Sequence, residues 1–227
     1  MKSLQGLFLM VVLLALPVSY SLSQDLPKPG QMGLDVSNVI QANNKALAGY
    51  TWKNTLEINK DGETVSTTVK QIKIADGKPE ATLISQEPQE EHKKGLRGRK
   101  QDKEKKYLAS AVELAAGYAM PASGSLVNFF EKATFALGTG SMEGYVQVQG
   151  SGLVNEADKV TMWVGSSTFQ PHKTEYSTKL DGETMEGSVT YAAMSEAELF
   201  YVASSVLTIA SKSLVITSKN SDHEAVE

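Results

Sequence analysis

The chain has 227 residues, a formal net charge of −4 and no cysteine. Its 41% hydrophobic and 21% charged residues are typical of a globular protein, and the acidic balance argues against a protein built as a whole to bind polyanions. Without cysteine the chain can form neither a disulfide framework nor a lipid-modified cysteine. A disulfide-stabilised module and a bacterial lipoprotein are therefore excluded.

Residues 1–23 have the three parts of a secretory signal peptide. Lys2 precedes an apolar run at 7–18, and the small residues Ser21 and Ser23 stand before Gln24. The run is shorter than the roughly 20 residues that a membrane anchor needs, so we predict cleavage and export. An exported domain without disulfides favours a bacterial periplasm. Residues 24–34, with two prolines and two glycines, predict a flexible lead-in.

Asp35 is a candidate N-cap for a first helix that ends at Gly49. An alternating segment from Tyr50 to Ile58 then leads into Asp61-Gly62, the dipeptide that favours a tight hairpin turn. On the returning strand the apolar positions change parity, which predicts a bulge near Lys70. Residues 81–85 form a third short strand.

The segment 87–106 is a charged insertion in the predicted domain. Between residues 93 and 106, eight lysines or arginines stand against two acidic residues. One interpretation is a solvated loop that runs into a polar helix start. The other is a docking surface for an acidic envelope protein or an anionic membrane surface. Nucleic acid is not expected as a partner, because no aromatic residues interleave the charges. The candidate docking residues are Lys93, Lys94, Arg97, Arg99 and Lys100.

An apolar stripe over 107–118 predicts a second helix, and Ser123 caps a third with Phe129 and Phe130 facing inward. The remaining strand candidates are 145–149, 160–164, 173–180, 184–191, 199–210 and 214–217, and Asp181-Gly182 repeats the first turn. Some nine strands in consecutive hairpins, with helices in two blocks, predict an α+β fold. We expect a curled antiparallel β-sheet, an incomplete barrel, covered on one face by two or three helices. It forms a single domain over 35–219, followed by a polar tail at 220–227.

No catalytic or metal-binding motif is present. His92, His172 and His223 lack the spacing of metal ligands, and neither a nucleophile elbow nor a phosphate-binding loop occurs. We therefore predict no enzyme, no metal and no cofactor. The two tryptophans, Trp52 and Trp163, lie in predicted strands, either as ordinary core or as walls of an apolar pocket.

Short motifs resemble the LolA/LolB-like periplasmic lipoprotein-sorting superfamily. They are Tyr50-Thr51-Trp52-Lys53 after an initial helix, then Val160-Thr161-Met162-Trp163-Val164 followed by Phe169-Gln170-Pro171-His172-Lys173, and the strands around Asp181-Gly182. The segment at 94–99 resembles an uncharacterised exported bacterial branch of it.

The resemblance implies a curved, incompletely closed barrel whose helices plug an apolar cavity for acyl chains. The implied function is non-catalytic binding of a lipid or lipoprotein acyl chain, or of another apolar ligand. The basic segment departs from the usual carriers as an insertion, and it supports the alternative of an envelope interaction or scaffold protein. The positions predicted to line the cavity are Trp52, Leu56, Trp163 and Tyr176, with Phe129 and Phe130 on the lid.

Overall fold

The computed structural model describes residues 28–75, 78–88, 96–194 and 199–226. Within them lie three helices: α1 (Pro29–Leu47), α2 (Leu96–Ala119) and α3 (Ser123–Lys132). The ten strands are β1 (Tyr50–Lys60), β2 (Glu63–Ala75), β3 (Lys78–Glu87), β4 (Thr134–Leu137), β5 (Tyr145–Gly150), β6 (Lys159–Gly165), β7 (Pro171–Leu180), β8 (Glu183–Ala193), β9 (Phe200–Ile209) and β10 (Leu214–Ala225). The predicted signal peptide lies outside the described residues.

All ten strands belong to one antiparallel sheet in the order β3-β2-β1-β10-β9-β8-β7-β6-β5-β4. Neighbouring strands in this order are consecutive in the chain, except that the first strand, β1, pairs with the last, β10. The edge strands β3 and β4 do not pair with each other in the described part of the chain, so the sheet is not closed into a barrel. With its three helices it confirms the predicted α+β fold of a curled antiparallel sheet.

The two Asp-Gly hairpins form as predicted. Asp61 and Gly62 have φ of 53° and 85°, and Asp181 and Gly182 have 51° and 83°. Two successive left-handed residues define the turn whose twist matches that of paired strands. A register shift also occurs at Val69, but the extra residue is Ile84 on β3. The bulge is therefore near the predicted place, on the partner strand.

The helix boundaries differ from those predicted. α1 begins at Pro29, so residues 29–34 of the expected lead-in are helical. Proline is tolerated there because the first helical N–H has no acceptor within the helix. α2 begins at Leu96, inside the charged insertion. Lysine, arginine, glutamine and glutamate are good helix formers, but exposed turns made of them show no apolar periodicity.

The predicted polar tail is part of the sheet as far as Ala225. β10 continues past Lys219 because its polar residues pair with those of β1. The amide of Asn54 donates to the side-chain oxygen of Asn220 at 2.8 Å, and the ammonium of Lys53 lies 3.0 Å from Asp222. Polar cross-strand pairs of this kind stabilise a strand that carries no apolar alternation.

α1 and α3 pack against each other, and α3 packs against β5 on the inner face of the sheet. Val148, Met162 and Phe130 are all 0% exposed there. α1 is also tied to β9, because the amide of Asn43 donates to the carbonyl of Phe200 at 2.8 Å and accepts from its N–H at 2.9 Å. This half of the sheet is a filled, conventional core.

α2 is anchored to the sheet near its C-terminal end. The ring of Tyr118 stacks on Tyr176 of β7, with centroids 3.8 Å apart and planes 7° from parallel. Tyr176 lies flat over Gly187 of β8, where a Cβ atom would overlap the ring. The Tyr118 hydroxyl donates to Asp158 at 3.1 Å, and the hydroxyl of Tyr191 donates to the carbonyl of Ala119 at 2.9 Å. Burial raises the pKa of Tyr118, so its hydroxyl remains a donor at neutral pH.

Asp158 organises the loop between β5 and β6. Only 1% exposed, its carboxylate accepts backbone N–H groups from residues 152–155 as well as the Tyr118 hydroxyl. Buried donors that lose their acceptor retain their full desolvation cost. We predict that Asp158→Ala lowers the free energy of unfolding by about 2–4 kcal/mol. Urea unfolding checks this, with the exposed Glu156→Ala as control; equal effects of both variants would contradict the anchoring role.

Candidate functional site

The inner face of the sheet is covered unevenly by the helices. Beneath α1 and α3 its side chains are fully buried, but along β1 and β2 the inward-facing apolar side chains are only half-buried. α2 borders this half-buried strip. We call the strip the trough and define it by Trp52, Leu56, Ile58, Ile72 and Ile74. Its apolar residues are interrupted by Asn54, whose amide donates to Ser218 and Asn220 of β10. Within the described residues, no helix buries this strip fully.

A large opening lies at one end of the trough, beside the N-terminal half of α2. This α2 cleft has a volume of about 810 Å³. Its apolar floor is formed by Tyr107, Leu108 and Leu214. Its charged rim consists of Lys60, Lys103, Glu104, Lys106, Asp181, Glu183 and Lys212.

A smaller cavity of about 70 Å³ lies at the other end, beside the last residues of α2. Trp52 and Ile74 form one wall and Leu47 of α1 another. We call it the Trp52 cavity. Trp52 and Lys60 share one face of β1 and are eight residues apart, so about 26 Å separates the two openings.

His223 of β10 closes the Trp52 cavity between two aromatic rings. Its imidazole is stacked on Trp52, with centroids 5.8 Å apart, and lies 4.1 Å from the ring of Tyr201. Burial lowers the pKa of His223, and the charge of Asp222 opposes that shift. A neutral imidazole is therefore the form that fits between the rings.

The structure places the predicted cavity residues in different environments. Trp52 lines the Trp52 cavity and Leu56 lies in the trough. Tyr176, Phe129 and Phe130 are 4%, 1% and 0% exposed and pack as core. Phe129 and Phe130 belong to α3 at the filled half, so they do not cover the trough.

Trp163 does not lie at the trough in this structure. Its strand neighbours Met162 and Val164 are fully buried on the inner face, and side chains alternate along a strand. Trp163 therefore lies on the outer face, where the ammonium of Lys173 is 5.5 Å from the centroid of its ring. From the sequence, successive side chains of the strand are expected on opposite faces of the sheet. The sequence does not show which of the two faces the helices cover.

The predicted basic docking residues are only partly described. Lys93 and Lys94 lie outside the described residues, as do the side chains of Arg97 and Lys100. Arg99 is exposed in the first turns of α2. The exposed Lys103 and Lys106, one turn further along, belong to the rim of the α2 cleft.

Sequence reasoning missed several residues at the two openings. Tyr107 was assigned only to a helical stripe, and Lys212 and His223 were not candidates. Lys212 follows β9 and His223 lies in the segment predicted as a polar tail. His223 reaches Trp52 only because β10 pairs with β1. The two residues are far apart in the sequence, so no local sequence pattern could predict their contact.

A third concavity lies on the outer face of the sheet. This shallow groove of about 590 Å³ is lined mainly by polar residues such as Gln149, Thr161 and Glu175. Its walls do not suit an apolar ligand. In the described part of the chain no three His, Asp or Glu residues could hold a metal ion. Nor does any helix of the described residues have the length and apolar character needed to cross a membrane.

No protein-family model and no curated protein sequence matches this chain. Three solved structures are similar to it at 10–11% sequence identity. A DUF1329 family protein from Desulfovibrio piger has 10% identity and a TM-score of 0.42, with 87% of this chain and 93% of that chain covered. A LolA superfamily protein from Nitrosomonas europaea has 10% identity and a TM-score of 0.34, with 85% and 94% covered. A putative outer membrane lipoprotein-sorting protein domain from Vibrio parahaemolyticus has 11% identity and a TM-score of 0.47, with 86% and 93% covered.

The position of His223 predicts a pH dependence of stability. Because its pKa is lower in the folded protein, the unfolded chain binds more protons as pH falls below about 6.5, and folding loses stability there. We expect Tm to fall between about pH 6.5 and 5, and His223→Gln to reduce that fall. Thermal unfolding followed by circular dichroism measures both. His172→Gln is the matched control; if it changes the pH dependence as much as His223→Gln, the assignment to His223 is contradicted.

Proposed function

We propose that this protein is a non-catalytic, exported binder of a lipid-like or other apolar ligand. The ligand lies in the trough between α2 and strands β1 and β2. The observation that carries the proposal is the contrast between the filled half of the inner face and the half-buried trough. Apolar surface of this kind gains roughly 25 cal/mol for each Å² that a ligand removes from water.

The dimensions of the openings support this ligand class. Cavities for small ligands range over about 300–1,000 Å³, and the α2 cleft falls within that range. The Trp52 cavity, about 70 Å³, is too small to hold more than the end of an acyl chain. A ligand therefore enters from the α2 cleft and extends toward Trp52.

The attachment of α2 supports entry at this end. Its C-terminal end is held by the buried Tyr118 and Tyr176 stack. Toward its N-terminal half, α2 contacts β1 through the 2.9 Å ion pair of Lys60 and Glu104, whose side chains are 45% and 52% exposed. An exposed ion pair contributes only about 0–1 kcal/mol, so the contact between Lys60 and Glu104 can open at little cost.

A second candidate is docking to an acidic envelope protein or an anionic membrane surface through the basic segment. It is favoured by the exposed Arg99, Lys103 and Lys106 on the N-terminal half of α2. This surface adjoins the α2 cleft, so docking there would bring the trough to a source of lipid or of a lipoprotein acyl chain. The periplasm is the compartment that suits both roles.

The two tryptophans provide a built-in test of where a ligand binds. Trp52 lies at the trough and Trp163 on the outer face. With Trp163→Phe, we expect myristoyl lysophosphatidylcholine to shift the emission of Trp52 to shorter wavelength in a saturable manner. With Trp52→Phe, the emission of Trp163 should stay unchanged. A response from Trp163 alone would contradict the proposed site.

Native mass spectrometry tests whether a ligand is present after export. Protein purified from the periplasm without detergent should carry a bound mass that organic extraction identifies as a lipid. Leu56→Glu places a charge in the trough and should remove that mass, because the cost of burying an unpaired charge opposes binding. Leu137→Glu, at a 45% exposed position on β4, is the matched control and should retain it. Retention by both variants would place the ligand elsewhere.

A further inference from the structure

The rim of the α2 cleft carries an excess of positive charge. Four lysines, Lys60, Lys103, Lys106 and Lys212, face three carboxylates there. The protein as a whole carries a net charge of −4, so the cleft is a positively charged region on an acidic protein. Its apolar floor lies directly beneath this rim, so charged and apolar groups meet in one concavity.

Two of the lysines are neutralised by partners at the rim. Lys60 pairs with Glu104 at 2.9 Å, and Lys212 with Glu183 at 3.3 Å. Among the described residues, Lys103 and Lys106 make no ion pair, and both side chains are exposed. They stand three positions apart on α2, where helical geometry puts side chains on the same face.

Tyr107 gives the cleft a polar point at its floor. Its hydroxyl is buried and has no hydrogen-bond partner among the described residues. Buried hydroxyl groups in proteins nearly always have a partner, but this oxygen is closed to the cleft, so a ligand atom reaches it only if the Tyr107 side chain turns. The ammonium of Lys212 lies over the Tyr107 ring, 4.9 Å from its centroid.

We propose that the α2 cleft binds the anionic head group of an amphiphile whose acyl chain occupies the trough. Lys103 and Lys106, which make no ion pair in the described part of the chain, supply the positive charge that attracts the anionic group. With the remaining carboxylate, Asp181, the lining sums to a single positive charge, which matches a singly charged phosphodiester. This inference rests on the proposed function, because the trough must hold the chain.

The test compares two amphiphiles with the same chain. Myristoyl lysophosphatidylglycerol carries one negative charge, and myristoyl lysophosphatidylcholine carries none overall. Each is titrated, below its micelle concentration, into full-length mature Trp163→Phe protein, with Trp52 emission as the readout. We expect the anionic amphiphile to bind at least about ten-fold more tightly at low salt, and the difference to shrink in about 0.5 M salt.

Variants of the rim assign the preference to specific side chains. Lys103→Gln with Lys106→Gln should weaken binding of the anionic amphiphile about ten-fold and leave the zwitterionic one within about two-fold. The pair Lys132→Gln and Lys159→Gln, outside the rim, is the matched control and should change neither. Both lysines of the test pair are exposed, so folding should be unaffected, and circular dichroism verifies it.

The outcomes separate the two proposals. Equal affinity for the two amphiphiles would overturn the proposed head-group site. It would leave the proposal that the trough binds an acyl chain unaffected. Absence of binding by either would overturn both. Glycerol phosphate without an acyl chain is the third arm. If glycerol phosphate competes at the same concentrations as the amphiphile, the cleft is a site for a free phosphate. That result would overturn the proposal that its ligand is an amphiphile.

Discussion

The stack of Tyr118 on Tyr176 is the contact on which the rest of the site depends. It fixes the C-terminal end of α2 over β7, and Asp158 holds the Tyr118 hydroxyl in place. Parallel aromatic contact at this spacing is favourable beyond the area that it buries. α2 has 24 residues, and its N-terminal half has its own contacts with the sheet through the Lys60 and Glu104 ion pair.

In the described part of the chain, three helices cover the inner face of the ten-stranded curled sheet unevenly. α1 and α3 pack against each other and fill one half, which leaves α2 alone for the other. The inner face is fully buried over most strands and half-buried along β1 and β2. Stability comes from the filled side, and an apolar surface remains on the side where β10 joins β1. Ligand-binding regions commonly lie in the less stable part of a fold.

The sequence predicted the features that depend on local chemistry. The Asp-Gly turns, the alternation of β1 and the stripes of α2 and α3 all follow from residue type and spacing. What it could not predict depends on contacts between distant residues. Trp52 alternates with the polar Thr51 and Lys53, whereas Trp163 alternates with the apolar Met162 and Val164. In the folded sheet Trp52 faces the trough, and Met162 and Val164 take the inner face in place of Trp163. The contact of His223 with Trp52 requires β10 to pair with β1. Residues 220–225 form part of that strand through paired polar side chains, and their polar composition does not predict a strand.

Photo-crosslinking tests the central claim most directly, because it locates a bound acyl chain without relying on affinity. A myristic acid with a photoreactive diazirine in its chain is added to the mature protein and activated, and labelled peptides are mapped by mass spectrometry. The account predicts labels on residues 50–60 of β1 and 107–119 of α2. Labels confined to the outer face, around Thr161 and Trp163, or spread evenly over the surface would contradict it.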